Sequence, residues 1–362
     1  MTFSGSYRPG DVTFLLTPLP LQDFVDISEK ERLIQSGQRH YSEMLSPESL
    51  PSPRYLDVFR SACASNGARM ARDCLHLAGL IAARRSGAIT LVSLARAGTP
   101  VGVVVGRLLS GTLQRPCTHY SVSIIRDRGI DRVALHYILE RHAAESIVFV
   151  DGWTGKGVIA RELASTIAHY NTEHGSTIDA GLYVLSDLAG VAACAASCDD
   201  YLIASSILNA TVSGLVSRSI LNDAIKPDDF HGCVYYAQFA PHDQSQAFAD
   251  QLIGAAGRLA GHPAPGPVSA IDPAAAGLVS RQFIAATLDR YGITDVNLVK
   301  PGIGEATRVL LRRTPRLLVV RDAAAPEVAH LILLAQEKGV PVRVDPSLPY
   351  FAVSLIRSAL DA

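Results

Sequence analysis

The residues with the clearest chemical potential come directly after a short apolar run. Residues 147–150 read Ile-Val-Phe-Val, which is typical of a buried parallel strand, and Asp151 follows as a carboxylate. Thr154, Gly155, Lys156 and Gly157 then lead into a helix-like segment. Glycines let backbone amides approach an anion, and a helix N-terminus adds about half a positive charge. An acid for ribose hydroxyls, followed by a cradle for a phosphate, predicts a sugar-phosphate site.

The same residues exclude two other phosphate-binding loops. A Walker loop needs Ser or Thr directly after its lysine, and this chain has Gly157 there. A dinucleotide fingerprint needs Gly-x-Gly-x-x-Gly, which residues 152–157 do not match. A strand-turn-helix whose glycines only permit the turn is the plain structural alternative.

The segment resembles the phosphoribosyl-pyrophosphate signature of type I phosphoribosyltransferases, in which apolar residues and acids precede Thr-Gly. The resemblance implies that Asp151 serves catalysis and binds Mg²⁺. It also implies a sugar-phosphate-binding set of Gly152, Trp153, Thr154, Gly155, Lys156 and Gly157. The signature usually has two adjacent acids, and Gly152 stands in place of the second. Asp151 alone must then coordinate the ribose hydroxyls or the metal, which affects catalysis more than binding.

Two further segments fit this resemblance. In the family, a loop like residues 93–100 holds pyrophosphate through amides and a basic side chain, which implies Arg96 with Ala97, Gly98 and Thr99. A guanidinium suits this role because it matches phosphate oxygens bidentately. Residues 125–130 carry Arg126 and Arg128 beside a glycine, as expected of a loop that closes over pyrophosphate. The alternatives are an ordinary surface arginine and a solvated hairpin end.

Longer strings resemble one bacterial family. Residues 3–16, 34–45 and 208–218 are similar to the StiP family, which carries the name of a cysteine protease and occurs beside tellurium-resistance and stress genes. Its members resemble a phosphoribosyltransferase domain fused to a Pelota-type RNA-binding domain, and the similarity covers nearly the whole chain. The polar strings at residues 40–43 and 213–218, together with Asn209, are expected either to line an acceptor pocket or to satisfy buried hydrogen bonds.

The C-terminal part has a resemblance of its own. Residues 300–308 are similar to the Gly-x-Asn-Glu-x-Thr-Lys string of kink-turn-binding ribosomal proteins, to which the Pelota domain is related. Here Gly304 replaces the asparagine and Arg308 the lysine. In that family the helix start approaches a bent RNA backbone and the acid reads a base edge. The implied RNA-binding set is Lys300, Gly302, Gly304, Glu305, Thr307 and Arg308, and a solvated basic helix face is the alternative.

The elements that must position these residues alternate between strand and helix. Apolar runs at 89–94, 119–125, 147–150 and 181–185 are separated by helix-like segments at 100–109, 131–139 and 158–169. This alternation predicts a parallel sheet with helices on both faces, and the resemblance makes it a type I phosphoribosyltransferase-like α/β domain over residues 1–260. Residues 261–274, rich in proline, are predicted to be a linker. Residues 275–362 repeat the pattern at smaller scale, as expected of a small α/β Pelota-like domain.

Composition limits the function classes. A chain of 362 residues with 48% hydrophobic and 19% charged residues suits two domains with a large core. The net charge of −1 gives no overall attraction to nucleic acid or acidic lipid, so an RNA contact must come from a local patch. The N-terminus lacks a signal-like region, and no apolar run approaches about 18 residues. We therefore expect a cytoplasmic protein with no membrane partner.

The cysteines have no pattern that assigns them chemistry. Cys63, Cys74, Cys117, Cys194, Cys198 and Cys233 form neither a zinc spacing nor a recognisable nucleophile motif. His40 and His231 are candidate bases only by residue type. Reduced, mostly buried thiols are the favoured interpretation.

Three functions remain open at this point. The leading hypothesis is an enzyme that transfers a phosphoribosyl group, with Mg²⁺, from phosphoribosyl pyrophosphate or a related sugar phosphate to an unidentified small base or RNA-linked group. The second is a non-catalytic sensor of such a ligand that reports through structured RNA, which the missing second acid favours. The third is the cysteine peptidase of the family name. A homodimer is left open as well.

Overall fold

The computed structural model describes residues 2–21, 25–259 and 272–357. Its strands are β1 (Thr13–Leu15), β2 (Thr17–Leu19), β3 (Ile89–Ala95), β4 (Cys117–Ile125), β5 (Gly129–Ile130), β6 (Ile147–Thr154), β7 (Leu182–Asp187), β8 (Cys194–Ser197), β9 (Gly232–Val234), β10 (Val299–Pro301), β11 (Pro315–Val320), β12 (Val342–Val344) and β13 (Ala352–Ile356). Its α-helices are α1 (Ile27–Gln35), α2 (Pro53–Arg84), α3 (Thr99–Arg107), α4 (Arg132–Leu139), α5 (Val158–His174), α6 (Ser245–Leu259), α7 (Pro273–Tyr291), α8 (Ile303–Arg312) and α9 (Ala329–Glu337). Among the described helices, none combines the length and apolar character needed to cross a bilayer.

A parallel sheet organises the first part of the chain. Its strands lie in the order β1-β4-β3-β6-β7-β8, and every pair along this path is parallel. The short strand β5 pairs antiparallel with β4 and forms a hairpin with it. The central strand β3 is buried along almost its whole length, because helices cover both faces of such a sheet. The predicted α/β class with a parallel sheet is confirmed.

Two hydrophobic layers enclose this sheet. On one face, α2, α3 and α6 pack around residues such as Met70, Leu77 and Val104. On the other face, α4 and α5 contribute Leu135, Leu163 and others to a second cluster. Helix α2 begins as its sequence directs: the Ser52 side chain accepts a hydrogen bond from the Tyr55 amide, and proline occupies the first turn.

The C-terminal part builds a smaller mixed sheet in the order β10-β13-β11-β12. Strand β13 is antiparallel to β10 and β11, whereas β11 and β12 are parallel. Helices α8 and α9 pack against each other beside this sheet. The predicted linker at 261–274 lies outside the described residues up to residue 271, and α7 begins at Pro273 after its Asp272 cap.

The end of β6 differs from the prediction in a way that matters for the site. The sequence placed the strand end at Val150, but β6 continues to Thr154. The reason is tertiary, since Trp153 and Thr154 pair with residues of β7. Only residues 155–157 are left as the loop between β6 and α5.

Candidate ligand site between the two domains

The loop after β6 lies directly against the C-terminal domain. A Cβ atom built on Gly155 would be 3.0 Å from Cγ of Glu305 and 3.2 Å from the carbonyl oxygen of Pro301. The Nζ atom of Lys156 donates a hydrogen bond to the carbonyl oxygen of Val296 at 2.5 Å. The two residue sets that the sequence presented as separate sites therefore meet. We call this contact, between residues 153–156 and residues 296–308, the interdomain seam.

Trp153 is the centre of the seam. The Arg308 guanidinium lies 4.7 Å from the centroid of its ring, which is a cation-π arrangement. A Cβ atom on Gly304 would be 2.8 Å from Cε2 of the indole, so a side chain at that position would force the indole to move. This steric limit accounts for a glycine where the kink-turn string has asparagine. The indole Nε1 is buried without a hydrogen-bond partner.

Charges of both signs meet at the seam. The Glu305 carboxylate accepts a hydrogen bond from Arg308 at 3.0 Å and lies 3.8 Å from Nζ of Lys300. Burial raises the pKa of Glu305, but the charges of Arg308 and Lys300 outweigh burial and lower it to about 2. Burial, followed by the charge of Lys300, lowers the pKa of Lys156 to about 7. Glu305 is therefore ionised at neutral pH, and Lys156 is close to its midpoint.

Asp151 precedes the seam on β6. Its Oδ1 accepts a hydrogen bond from the Gly152 amide at 2.7 Å. Burial nevertheless raises the pKa of this carboxyl to about 6. A Cβ atom on Gly152 would come no closer than 3.8 Å to the carbonyl oxygen of Ala97, so this buried position accepts a Cβ atom without a clash.

Thr154 and Gly157 serve the loop geometry. The Thr154 hydroxyl donates a short hydrogen bond to Asp187, whose carboxylate also accepts the amides of Ala189 and Ala192 at 3.1 Å and 2.8 Å. Gly157 precedes α5 with φ +71°, a left-handed conformation that favours glycine. The threonine that the sequence assigned to phosphate binding is therefore already bonded to the neighbouring strand end.

The predicted pyrophosphate loop after β3 is tightly packed. Arg96 is buried, and its NH1 donates to Glu48 at 2.5 Å and to the carbonyl oxygen of Val216 at 3.0 Å. A Cβ atom on Gly98 would be 2.7 Å from the carbonyl oxygen of Val150. The hydroxyl of buried Thr99 lies 2.8 Å from that of Ser121. The guanidinium of Arg96 is thus paired inside the protein.

A small cavity lies between the loop after β3 and Trp153 of β6. Its lining includes Arg96, Ala97, Trp153, Ser206 and Asn209 from the first domain and Arg308 from the C-terminal domain. Its volume of about 20 Å³ admits a single water but no sugar diphosphate. The Ser206 hydroxyl is buried without a partner, although Arg96 NH2 does reach Asn209 Oδ1 at 3.3 Å.

The hairpin that was predicted to close over pyrophosphate lies beside the string at residues 40–43. Arg126 pairs with Asp127 at 2.9 Å, and its guanidinium lies 5.4 Å from the ring of Tyr41. Arg128 is exposed and pairs with Glu43 at 3.3 Å. Arg218 donates to the carbonyl oxygen of Tyr41 at 2.8 Å, so the two polar strings do come together.

One residue that joins the two domains through hydrogen bonds has no signal in the sequence. Asp200 of the first domain accepts the amide of Ile303 on Oδ1 and the amide of Phe351 on Oδ2, both at 2.8 Å. Ile303 is the first residue of α8, so this carboxylate caps the helix that carries Glu305. Next to it, Gly302 has φ +88°, and a Cβ there would be 2.5 Å from Leu188. A lone aspartate after a strand gives no signal of such a role.

Two family models match successive parts of this chain. Residues 5–253 match the family described as tellurite-like stress resistance cysteine protease StiP. This chain belongs to the StiP family. Residues 278–358 match the PELOTA RNA binding domain, which confirms the Pelota-like C-terminal domain. The resemblance that the sequence strings indicated is thereby confirmed as well.

Two individual proteins are similar to this StiP-family chain to different degrees. A protein from Acinetobacter baylyi named cysteine protease StiP is 42% identical over 98% of this chain and 94% of its own length. A crystal structure of a hypothetical protein from Neisseria gonorrhoeae with bound ppGpp is 16% identical, covers 33% of this chain and 66% of that chain, and has a TM-score of 0.23. The second likeness is too weak to support an argument about fold or ligand.

The StiP name directs attention to the thiols. Four of the six are buried, and Cys117 and Cys198 are half-buried. Burial raises the pKa of Cys63, Cys117 and Cys233 to about 12. Burial and the charges of Asp187 and Asp199 raise the pKa of Cys198 to about 11. An activated nucleophile needs the opposite shift.

The candidate bases of a peptidase are bonded to serine hydroxyls. Nδ1 of His231 lies 2.8 Å from the hydroxyl of Ser123. Nδ1 of His40 lies 2.8 Å from the hydroxyl of Ser42. Burial lowers the pKa of both imidazoles. In this conformation these nitrogens are thus engaged with oxygen partners.

Proposed function

We propose that this chain binds phosphoribosyl pyrophosphate, or a related sugar diphosphate, at the end of β6. The observation that carries this proposal is the convergence of Asp151 with the cations Lys156, Lys300 and Arg308 around the β6–α5 loop. Open parallel sheets bind ligands beyond the carboxyl ends of their strands, where this loop lies. Lysine and arginine around a helix N-terminus favour a multiply charged anion. The signature at residues 147–155 supports a type I phosphoribosyltransferase-like site.

The proposed reaction is phosphoribosyl transfer. The bond from the ribose C1 to pyrophosphate breaks, a bond from C1 to an acceptor nitrogen forms, and that nitrogen loses a proton. Asp151 would hold the ribose hydroxyls or Mg²⁺, the backbone amides of residues 155–157 the 5′-phosphate, and the loop 96–99 the pyrophosphate once Arg96 leaves Glu48. The described residues gather no cluster of three metal-ligating side chains. That suits a Mg²⁺ ion bound by one carboxylate and the ligand's own phosphates, whose charge the ion would neutralise.

Ligand-induced stabilisation tests the binding step. Phosphoribosyl pyrophosphate with Mg²⁺ should raise the melting temperature, because a ligand at 100 times its Kd adds about 2.7 kcal/mol to the native state. Lys156→Ala and Asp151→Asn should each remove most of this shift. Lys226→Ala, at an exposed lysine in another loop, is the matched control. If both site variants show the same rise in melting temperature as the wild type, the ligand binds at another site.

A transfer assay separates the enzyme from the sensor. Release of pyrophosphate that depends on an added acceptor, such as a nucleobase or an RNA, supports transfer. Binding without release under every acceptor tried supports the non-catalytic sensor, which the single acid at Asp151 favours. Gly152→Asp then tests whether a second acid, whose Cβ meets no clash there, increases turnover.

The C-terminal domain is proposed to bind structured RNA. Its match to the Pelota RNA-binding domain supports this, as do Lys300 and Arg308 beside the start of α8. Arg308→Ala should weaken binding of a kink-turn hairpin. It should also flatten the salt dependence of binding, because a variant with one phosphate contact fewer releases fewer counterions when it binds. Equal affinity of wild type and variant at low salt would assign the contact to other residues.

A cysteine peptidase is the second candidate, and the names of the family and of the Acinetobacter relative favour it. Cys198 is the thiol to test first, because it follows β8 and its neighbour Asp187 also holds Thr154 at the site. Cleavage of labelled casein that disappears in Cys198→Ser, persists in Cys194→Ser and is blocked by a thiol-directed inhibitor would establish this activity. Cleavage that no cysteine variant affects would exclude a thiol nucleophile.

A further inference from the structure

The group that lies against the β6–α5 loop is itself an anion. Cγ of Glu305 is in contact range of Gly155, and the Glu305 carboxylate lies between Arg308 and Lys300. Loops that precede a helix N-terminus favour negative charge. The Glu305 side chain of the second domain therefore packs on Gly155, and Arg308 and Lys300 hold its carboxylate beside the loop.

The lysine of the loop is also engaged by the second domain. Lys156 donates its hydrogen bond to the backbone carbonyl of Val296, three residues before β10. The cavity between Trp153 and Arg308 has a volume of about 20 Å³, which is too small for a sugar diphosphate. The contacts of Glu305 with Gly155 and of Val296 with Lys156 must therefore open before such a ligand can bind across the loop and this cavity.

The RNA-binding residues are hidden by the same contact. Gly304 is packed on Trp153, and Glu305 is turned to its own cations at the seam. Asp200 caps the first amide of α8, so the end of the helix that would approach RNA already has an acceptor. RNA can therefore reach this surface only after the seam opens.

We infer that the start of α8 is an internal occupant of the phosphate loop, with Glu305 as a substitute for the ligand phosphate, and that RNA and sugar diphosphate each select the opened seam. This inference rests on the proposed function. Two ligands that require the same opened state increase each other's affinity by the same factor. RNA binding would thus open the site for the small ligand, and the small ligand would release the RNA-binding surface.

The single tryptophan of the chain reports on this contact directly, because Trp153 is packed against Gly304 and Arg308. Glu305→Gln in the full chain should increase acrylamide quenching of Trp153 and shift its emission to longer wavelength. Glu337→Gln is the matched control, since Glu337 bonds Arg54 of the first domain at 2.8 Å without touching the loop. Equal quenching in wild type, Glu305→Gln and the control would overturn the inference.

The coupling sign is the second test. A kink-turn hairpin RNA should raise the affinity for phosphoribosyl pyrophosphate at least about fivefold, the lower end of typical coupling. Glu305→Gln should bind the small ligand more tightly without RNA. Unchanged or weaker binding with RNA overturns the inference. If the wild type binds no sugar diphosphate, the proposed function fails, but Trp153 quenching on RNA addition still tests whether the start of α8 blocks the loop. Increased quenching with bound RNA supports this inference, and unchanged quenching with bound RNA overturns it.

Discussion

The interdomain seam and the six cysteines differ in where they place their reactive groups. At the seam, Lys156, Lys300, Arg308 and Glu305 lie together and pair across or beside a domain boundary. The thiols are distributed through the first domain, and burial raises the pKa of each. Arg308 and Lys300 keep Glu305 ionised, whereas burial lowers the pKa of Lys156 to about 7 and keeps the thiols neutral. The charged groups of the seam become accessible when the two domains separate, but the thiols stay buried or half-buried inside the first domain.

Removing the Asp200 carboxylate should disturb the seam most. Asp200→Ala leaves the amides of Ile303 and Phe351 without their acceptor, which costs about 2–4 kcal/mol for two charge-assisted bonds. Denaturation followed by Trp153 fluorescence should show a lower midpoint. Asp322→Ala is the control: it removes a hydrogen bond to the Ala324 amide, and the loss of stability should be much smaller because this bond is exposed to water. Equal losses in both variants would mean that the seam has no special role in stability.

Filling the space at Trp153 should have the next largest effect. Alanine at a helical glycine usually stabilises a protein by up to about 1 kcal/mol, and Gly79→Ala in α2 should do so because nothing lies within 4 Å of its Cβ position. Gly304→Ala should instead destabilise by about 1–3 kcal/mol, since its Cβ would be 2.8 Å from the indole. Paired thermal denaturation of the two variants provides the measurement. A stabilising Gly304→Ala would show that the seam is loosely packed.

The pH dependence of ligand binding should be smaller. The pKa of Lys156 is about 7, lowered by burial, so the ammonium that attracts an anion is lost as the pH rises through this value. Affinity for phosphoribosyl pyrophosphate should fall by up to about tenfold per pH unit above 7, which is about 1.4 kcal/mol. The pKa of Asp151, raised by burial to about 6, predicts a second decline below pH 6 as the carboxylate is protonated. Calorimetric titration of the ligand at several pH values from 5 to 9 measures the fall in affinity on both the alkaline and the acidic side.

Lys156→Arg is the control for the alkaline limb, because its guanidinium stays charged throughout. It should bind at pH 9 about as well as at pH 7. A variant whose affinity still falls with rising pH would assign the limb to the ligand or to another residue.

The smallest effect is expected at the thiols. Cys198→Ser should change sugar-diphosphate affinity by less than about twofold, since it only exchanges the thiol for a slightly smaller hydroxyl at a half-buried position. Parallel measurement of ligand binding and of casein cleavage sharpens the comparison. A loss of all activity in this variant alone would reverse it in favour of the peptidase.

Local patterns in the sequence predicted most elements that carry the site. The apolar run at 147–150 and the glycine at 157 correctly indicated a parallel strand followed by a helix, and the string at 300–308 correctly indicated a helix start. These features depend on neighbours a few residues apart, through side-chain periodicity and backbone freedom. The short strands β8, β10 and β13 gave no comparable signal, because their pairing with distant strands forms them.

What the sequence by itself determined about this protein is its family and its α/β class, and it predicted anion binding and RNA contact for two sets of polar residues. Only the tertiary structure decided that these sets face each other. The contact of Gly155 with Glu305 and the cap that Asp200 places on α8 join residues more than a hundred positions apart. No local propensity encodes such a contact, since it depends on the shapes and charges of two folded surfaces once they meet.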